Sequence, residues 1–154
     1  MDSRPEESPY SSHAFGARFA EVRVDPDTAE VRVTRFVNAT CAGRILNPKQ
    51  ARSQLIGGTM MGLGMALQEH TIMDVRYGRF VNQNFADYLV PVHADAPAIE
   101  AILVDEEDPH VNPLGVKGIG ECAAVGVAPA IANAVYHATG VRVRDLPITP
   151  DKLL

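Results

Sequence analysis

Cysteine is scarce in these 154 residues, and the two present, Cys41 and Cys122, lie far apart with no CxxC or Cys/His spacing. That excludes a disulfide framework, a zinc site and the cysteine runs that hold iron–sulfur clusters; both residues are expected to be small buried groups. Basic clusters are equally lacking. Fourteen lysines and arginines against nineteen acidic residues give a net charge of −5, with nothing denser than "VRVRD" at residues 141–145, so nucleic acid is not an expected partner. The opening "MDSRPEESPYSSH" carries no apolar core of a secretory signal, and a cytoplasmic location is expected unless the chain is exported with a signal-bearing partner. The longest apolar run, "LIGGTMMGLGMAL", contains four glycines and falls short of the roughly 20 residues that span a bilayer, so no membrane segment is expected. The histidines at positions 13, 70, 93, 110 and 137 are isolated, the serines lie outside any G-x-S-x-G, and no G-K-[ST] occurs. A zinc-binding helix, a hydrolase triad and a P-loop are therefore unsupported, and no metal-ligand set is expected.

What is present suits a globular chain: 46% hydrophobic and 21% charged residues. A polar tail over residues 1–14 and a single domain over residues 15–154 are expected. "ARFAEVRVDPDTAEVRVTRFVNAT" alternates apolar and polar on both sides of a turn containing Pro26, which predicts a two-stranded hairpin. Residues 48–70 read as a helix, with Asn47 as N-cap, Pro48 in the first position and Leu55, Met60, Leu63 and Leu67 at helical spacing. Its second half is apolar nearly all round and is expected to be buried. Two short strand-like pieces flank Tyr77 and Gly78, and "AIEAILVDE" reads as a further strand. "DEEDPH", residues 105–110, reads as a solvated loop. A second apolar helix is expected from "ECAAVGVAPAIANAVYHATG", restarted or kinked at Pro129 and capped by Gly140, followed by a strand-like "VRVRDLPI". Strands before and after buried helices, without regular alternation, predict an α+β fold.

Two glycine-rich places stand out. Gly57, Gly58, Gly62 and Gly64 fall inside the first helix, where each glycine costs about 0.8–1 kcal/mol against alanine. Either close packing or backbone approach to a ligand must require the missing side chains. The second place, "GVKGIGECA", carries Glu121 directly after Lys117, Gly118 and Gly120. A carboxylate beside an apolar stretch must be solvated, paired or employed in chemistry. Gly118, Gly120 and Ala123 satisfy G-x-G-x-x-A, a weak dinucleotide fingerprint, but Pro113 interrupts the preceding segment and Glu121 would oppose a pyrophosphate. The pattern reads better as a close-approach loop delivering Glu121 to a site.

Taken in order, "GRILNP", "QLIGGTMMGLGMALQE", "NQNFADYLVPVHAD", "GVKGIGE" and "APAIANAVYHATGVRVRDLPITP" resemble the molybdenum-binding large subunits of the xanthine dehydrogenase and aldehyde oxidase family. "YGRFVNQNFADYLVPVHADAP" and "DPHVNPLG" most resemble the bacterial aldehyde oxidoreductase branch. The likeness runs over nearly the whole chain, which corresponds to the C-terminal portion of a much longer subunit.

The resemblance implies that Glu121 is the catalytic general base, taking the proton of a molybdenum-bound hydroxyl whose oxygen attacks an electrophilic carbon. It implies a molybdopterin cofactor with molybdenum, in the cytosine dinucleotide form usual in bacteria. It also places Gln54, Gly57 and Gly58 near the pterin, and makes Gly43, Arg44, Lys117, Gly118 and Gly120 candidate cofactor contacts. Arg44 is equally readable as an ion-pair partner; Lys117 could pair with Glu121 or face water, and a structural role is the favoured reading. Many members carry glutamine where this chain has Met61, which removes one amide. Implied partners are a companion chain supplying the rest of the molybdenum-binding subunit, iron–sulfur and FAD subunits, and a small aldehyde or N-heterocycle. Two other readings predict different behaviour. A non-catalytic assembly domain of the same fold would bind a partner without chemistry, and a nucleotide-binding domain would use "GIGECA".

Overall fold

In the computed structural model, which describes residues 9–154, the hairpin is set by its turn. The Asp25 carboxylate accepts the backbone N–H groups of Asp27 and Thr28 at 2.9 and 2.8 Å, which folds the chain back after Val24. Strand β1, Phe15–Val24, thereby pairs antiparallel with β2, Val31–Cys41. Between Glu21 and Val22 the register shifts, because Glu21 opposes Arg35 while Val22 opposes Val33. The extra residue, Thr34, lets Val33 and Phe36, three apart, both face the core. Strand β5, Ala98–Val104, joins the other edge of β2 in parallel, giving the order β1-β2-β5. Between them, β3 (Met73–Asp74) and β4 (Arg79–Phe80) form the small separate hairpin expected around Tyr77 and Gly78.

Helix α1, Pro48–Leu67, begins as its sequence predicts: the Asn47 side chain accepts the Gln50 N–H at 3.1 Å and Pro48 occupies the first position. Ala51, Leu55, Thr59, Gly62, Leu63 and Ala66 form its buried face. The expectation that the second half is buried all round is corrected. Met61 and Met65 are 61% and 47% exposed, because the sheet and α2 cover only one side of the helix.

Helix α2, Val127–Thr139, is shorter than expected. Residues 121–123 form a separate 3-10 turn, and Gly126, at φ +89°, turns the chain before the helix starts. This left-handed conformation is costly for any residue with a Cβ. Pro129 falls in the first turn of α2, where a missing N–H removes no intrahelical bond, so it neither kinks nor restarts the helix. At the other end the Gly140 N–H closes the helix on the Tyr136 carbonyl at 2.8 Å.

Both helices lie on one face of the three-stranded sheet. Val33, Phe36, Leu63, Ala66, Val127, Ile131, Val135 and Ile148 form the main core, and Leu55, Ala101 and Ala123 a second one beneath the 3-10 turn. The α+β class is as expected. The terminal "VRVRDLPI" is not a strand: among the described residues it pairs with no sheet edge. It runs over the helices instead, where the Ile148 N–H donates to the Ala66 carbonyl at 2.7 Å and the Ile148 side chain enters the core. Residues 1–8 of the expected polar tail lie outside the described residues. Further along it, Ser12 donates to Asp108 at 3.2 Å and Tyr10 stacks on His110. No helix among the described residues is long and apolar enough to cross a membrane.

Candidate active site

Three elements converge beneath Glu121. The side-chain amide of Asn38, fully buried on β2, donates to the Ala123 carbonyl and to Thr59 Oγ1, each at 3.0 Å. Thr40 donates to Asn38 Oδ1 at 3.1 Å, and Thr59 to the Leu55 carbonyl at 2.8 Å, so every member of this buried network is satisfied. From β1, Arg18 donates to the Cys122 carbonyl and, at 3.0 Å, to the Ala39 carbonyl. From α1, Gly58 lets the turn approach closely, since a Cβ there would lie 2.5 Å from the Ala123 Cβ. The turn is fixed from below, and Glu121 stands on its exposed side.

The preceding segment is held at its other end. Gly43 bridges Val116, the Arg44 N–H donates to the Gly115 carbonyl at 2.7 Å, and the Lys117 N–H to the Ala42 carbonyl at 3.2 Å. A side chain on Gly43 would collide with the Gly115 carbonyl, so glycine is required there. Glu106 ties the two sides together: one oxygen accepts the Gly43 N–H at 2.6 Å and the other accepts Lys117 Nζ at 2.6 Å. Asp108 lies 3.0 Å from the same ammonium. These contacts bear on two expectations. Lys117, with a side chain only 6% exposed, takes the structural role favoured for it, pairing with Glu106 and Asp108; it neither pairs with Glu121 nor faces water. Residues 105–110 are not simply a solvated loop, because two of their carboxylates are drawn inward by that lysine. The Lys117 ammonium holds both carboxyl groups below their ordinary range, with the Gly43 and His110 N–H groups assisting, and the two carboxylates raise Lys117 in turn. Cys41 is buried as expected, and burial first, then Glu106, pushes its thiol up; Cys122 is only partly buried.

The glycines divide by environment. Gly58 and Gly62 leave room for Ala123 and Val127, and Gly64 for Glu69 and Pro91, whereas a Cβ on Gly57 or Gly118 would meet nothing within 4 Å. Close packing therefore explains three of the four helix glycines, and Gly57 faces open space beside Gln54. A Cβ on Gly120 would come 3.8 Å from Gln54 Oε1, which brings α1 and the segment carrying Glu121 together. Next to them lies a groove of ≈ 550 Å³ lined by Arg44, Asn47, Gln50, Gln54, Lys117 and Ile119, among others. Gly118 and Gly120 lead into a three-residue turn, and the strand before them, β5, ends at Val104, which is not the strand–turn–helix of a dinucleotide fingerprint.

Comparisons with known proteins show the family. Residues 1–97 match the family model of the molybdopterin cofactor-binding domain. The chain belongs to that family. The aldehyde oxidoreductase molybdenum-binding subunit PaoC of Escherichia coli (strain K12) is 55% identical to this chain over 145 residues, which are 94% of this chain and 20% of PaoC. The putative xanthine dehydrogenase molybdenum-binding subunit XdhA of the same strain is 41% identical over 140 residues, 91% of this chain and 18% of XdhA. The crystal structure of quinoline 2-oxidoreductase from Pseudomonas putida 86 superposes with a TM-score of 0.80 at 31% identity, over 89% of this chain and 18% of that one. The chain thus spans about a fifth of the length of the relatives it matches.

The donor set fits a group carrying a pterin and a phosphate. Among the described residues, the Arg44 guanidinium, the Gln54 amide and the backbone N–H groups of Gly118, Ile119 and Gly120 have no protein acceptor. All border open space or the groove. Arg44 forms no ion pair among the described residues, so its structural reading is not realised. The residues invisible to sequence reasoning are Arg18, Asn38, Thr59 and Glu106. Only Asn38 carried a signal, an amide at an inward-facing position of an alternating strand.

Proposed function

We propose that this chain is the base-bearing portion of a molybdenum hydroxylase that oxidises aldehydes, or N-heterocycles, with water as the oxygen source. The observation that carries it is the single exposed carboxylate, Glu121, on a turn fixed by α1, β1 and β2 and bordered by uncommitted donors. Arg44, Gln54 and the Gly118–Gly120 amides would hold a molybdopterin, with Gly57 open to its approach. When bound, that cofactor supplies the metal-centred two-electron chemistry and the oxygen to be transferred. Glu121 would serve as the proton acceptor beside that group. A carboxylate positioned in this way contributes about 10²–10⁴-fold. Fixing it on three elements, and not on a free loop, keeps it oriented as the proton moves.

The remainder of such a subunit would come from a companion chain, and electrons would leave to iron–sulfur and FAD subunits. The dinucleotide form of the cofactor is supported by the likeness to bacterial members. Glu121→Gln in the assembled enzyme tests the reading. It should lower kcat by about 10²-fold or more while molybdenum and pterin content stay at the wild-type level. Retained turnover would remove the base assignment. An assembly that never loads molybdenum or pterin, with or without a companion, would instead establish the non-catalytic reading, which the exposed Met61, Met65 and Val125 favour as an interaction surface.

A further inference from the structure

Arg18 is an unusual tenant of an edge strand. Its guanidinium reaches across from β1 to the turn that carries Glu121, where Nη2 donates to the Cys122 carbonyl and lies 3.7 Å from the Cys122 sulfur, while Nη1 donates to the Ala39 carbonyl at 3.0 Å. Among the described residues no carboxylate pairs with it, and its Nε is buried without a partner. A cation that forgoes an ion pair and leaves one donor unused is held there by what it does for those two carbonyls. Two glycines make the passage. A Cβ on Gly16 would fall on the Ala39 carbonyl and on Arg18 Nη1, and a Cβ on Gly126 would lie 3.2 Å from Arg18 Cγ. Gly126 also supplies the left-handed turn that ends the base-bearing segment, so one residue serves both the path of Arg18 and the end of the turn.

We propose that Arg18 is a positioning residue for Glu121. It clamps the Cys122 peptide to the β1–β2 hairpin and so fixes the orientation of the carboxylate immediately before it. The Cys122 carbonyl belongs to the residue following Glu121, and the Glu121 carbonyl in turn accepts the Ala124 and Val125 N–H groups at 3.0 and 3.2 Å. Releasing Cys122 therefore frees the turn on the side of the carboxylate, while Asn38 still holds Ala123. Arg18 touches no reacting group; it acts through the backbone. The clamp rests on the reading of Glu121 as base.

The test uses the assembled enzyme containing this chain, with Arg18→Gln, Arg18→Lys and Glu121→Gln compared. Arg18→Gln should lower kcat by about 10²-fold, the loss a small misplacement of a catalytic group causes, with KM changed less than about threefold. Arg18→Lys, which keeps the charge and can reach one carbonyl, should recover part of that loss. Independently of activity, hydrogen exchange at the Ala124 and Val125 amides and alkylation of Cys122 should both accelerate in Arg18→Gln, while the β1–β2 amides stay protected. Unchanged kcat in Arg18→Gln alongside a lost kcat in Glu121→Gln overturns the positioning role alone. Full turnover in Glu121→Gln overturns the base assignment and the clamp's purpose together. Loss of protection across the whole hairpin marks Arg18 as merely structural and overturns the proposal.

Discussion

The amide nitrogen of Asn38 lies 3.0 Å from the Ala123 carbonyl, and both residues are fully buried, so a polar contact spanning strand and turn sits inside the apolar layer. Replacing Asn38 by Ala leaves the Ala123 carbonyl without its donor and deprives Thr40 of its acceptor. The expected loss is about 2–3 kcal/mol, read as a lower denaturant midpoint with unchanged slope. Asn38→Asp should be worse, because it sets a carboxylate against the carbonyl it must serve. A midpoint within error of wild type would show that the turn does not depend on this bond.

Gly57 and Gly58 are neighbours in α1 with opposite surroundings. Gly58→Ala forces a methyl against Ala123 and should destabilise by about 1–3 kcal/mol, outweighing the gain in helix propensity. Gly57→Ala meets open space and should stabilise the cofactor-free protein by up to about 1 kcal/mol, yet lower the pterin bound per subunit. Paired unfolding curves and cofactor assays separate the two effects, and equal behaviour of the two variants would contradict the division of the glycines.

Arg44 and Gln54 present donors to the groove without partners in the protein. Arg44→Ala and Gln54→Ala should therefore leave the unfolding midpoint unchanged and reduce cofactor retention by about tenfold each. Molybdenum and pterin remaining after gel filtration measure this. Stability loss without cofactor loss would assign both residues to the scaffold.

The Lys117 cluster makes a signed pH prediction. Glu106 and Asp108 sit below their ordinary values of 4.5 and 3.8, so their contribution is present above those values and is lost as pH falls through the folded ones. Lys117 sits above its ordinary 10.5, so its contribution is present below that value and is lost as pH rises beyond it. Between about pH 5 and 10 the cluster should contribute a constant amount. In Lys117→Met the two carboxylates lose their cation and favour protonation. Its thermal midpoint should lie below wild type at neutral pH, and the deficit should shrink as pH falls towards about 4. A deficit independent of pH would show that only packing was lost.

Much of the scaffold was legible because its determinants are local. Asn47 and Pro48 mark the start of α1, Asp25 through Thr28 mark the hairpin turn, and period-two alternation marks β1 and β2. Glu121 was legible from composition, as a charge placed after glycines with an apolar stretch behind it. The means of holding it were not. Arg18 and Asn38 reach the turn over sequence separations of 104 and 85, and no periodicity encodes such distances. The inward pull on Glu106 and Asp108 was hidden for the same reason, since their charge density alone resembles any solvated loop. The strand expected near the end failed because alternation in "VRVR" specifies only an extended chain; Val143 and Ile148 pack against the core formed with the helices, and the Ile148 N–H bonds to α1 and not to a sheet edge.

The parallel pairing of β2 with β5 has a bearing on the order in which the chain folds. β1 meets β2 across a six-residue turn, but β5 begins at Ala98, far downstream of its partner, with α1 and the small hairpin in between. Local contacts form before distant ones, since the entropy of closing a loop grows with its length. The hairpin and α1 therefore come first, β5 docks later, and the segment bearing Glu121, which follows β5 in the chain and rests on Ala101, settles last. A molecule arrested just short of the native state would keep most of its secondary structure and lack only the turn that carries Glu121 in place.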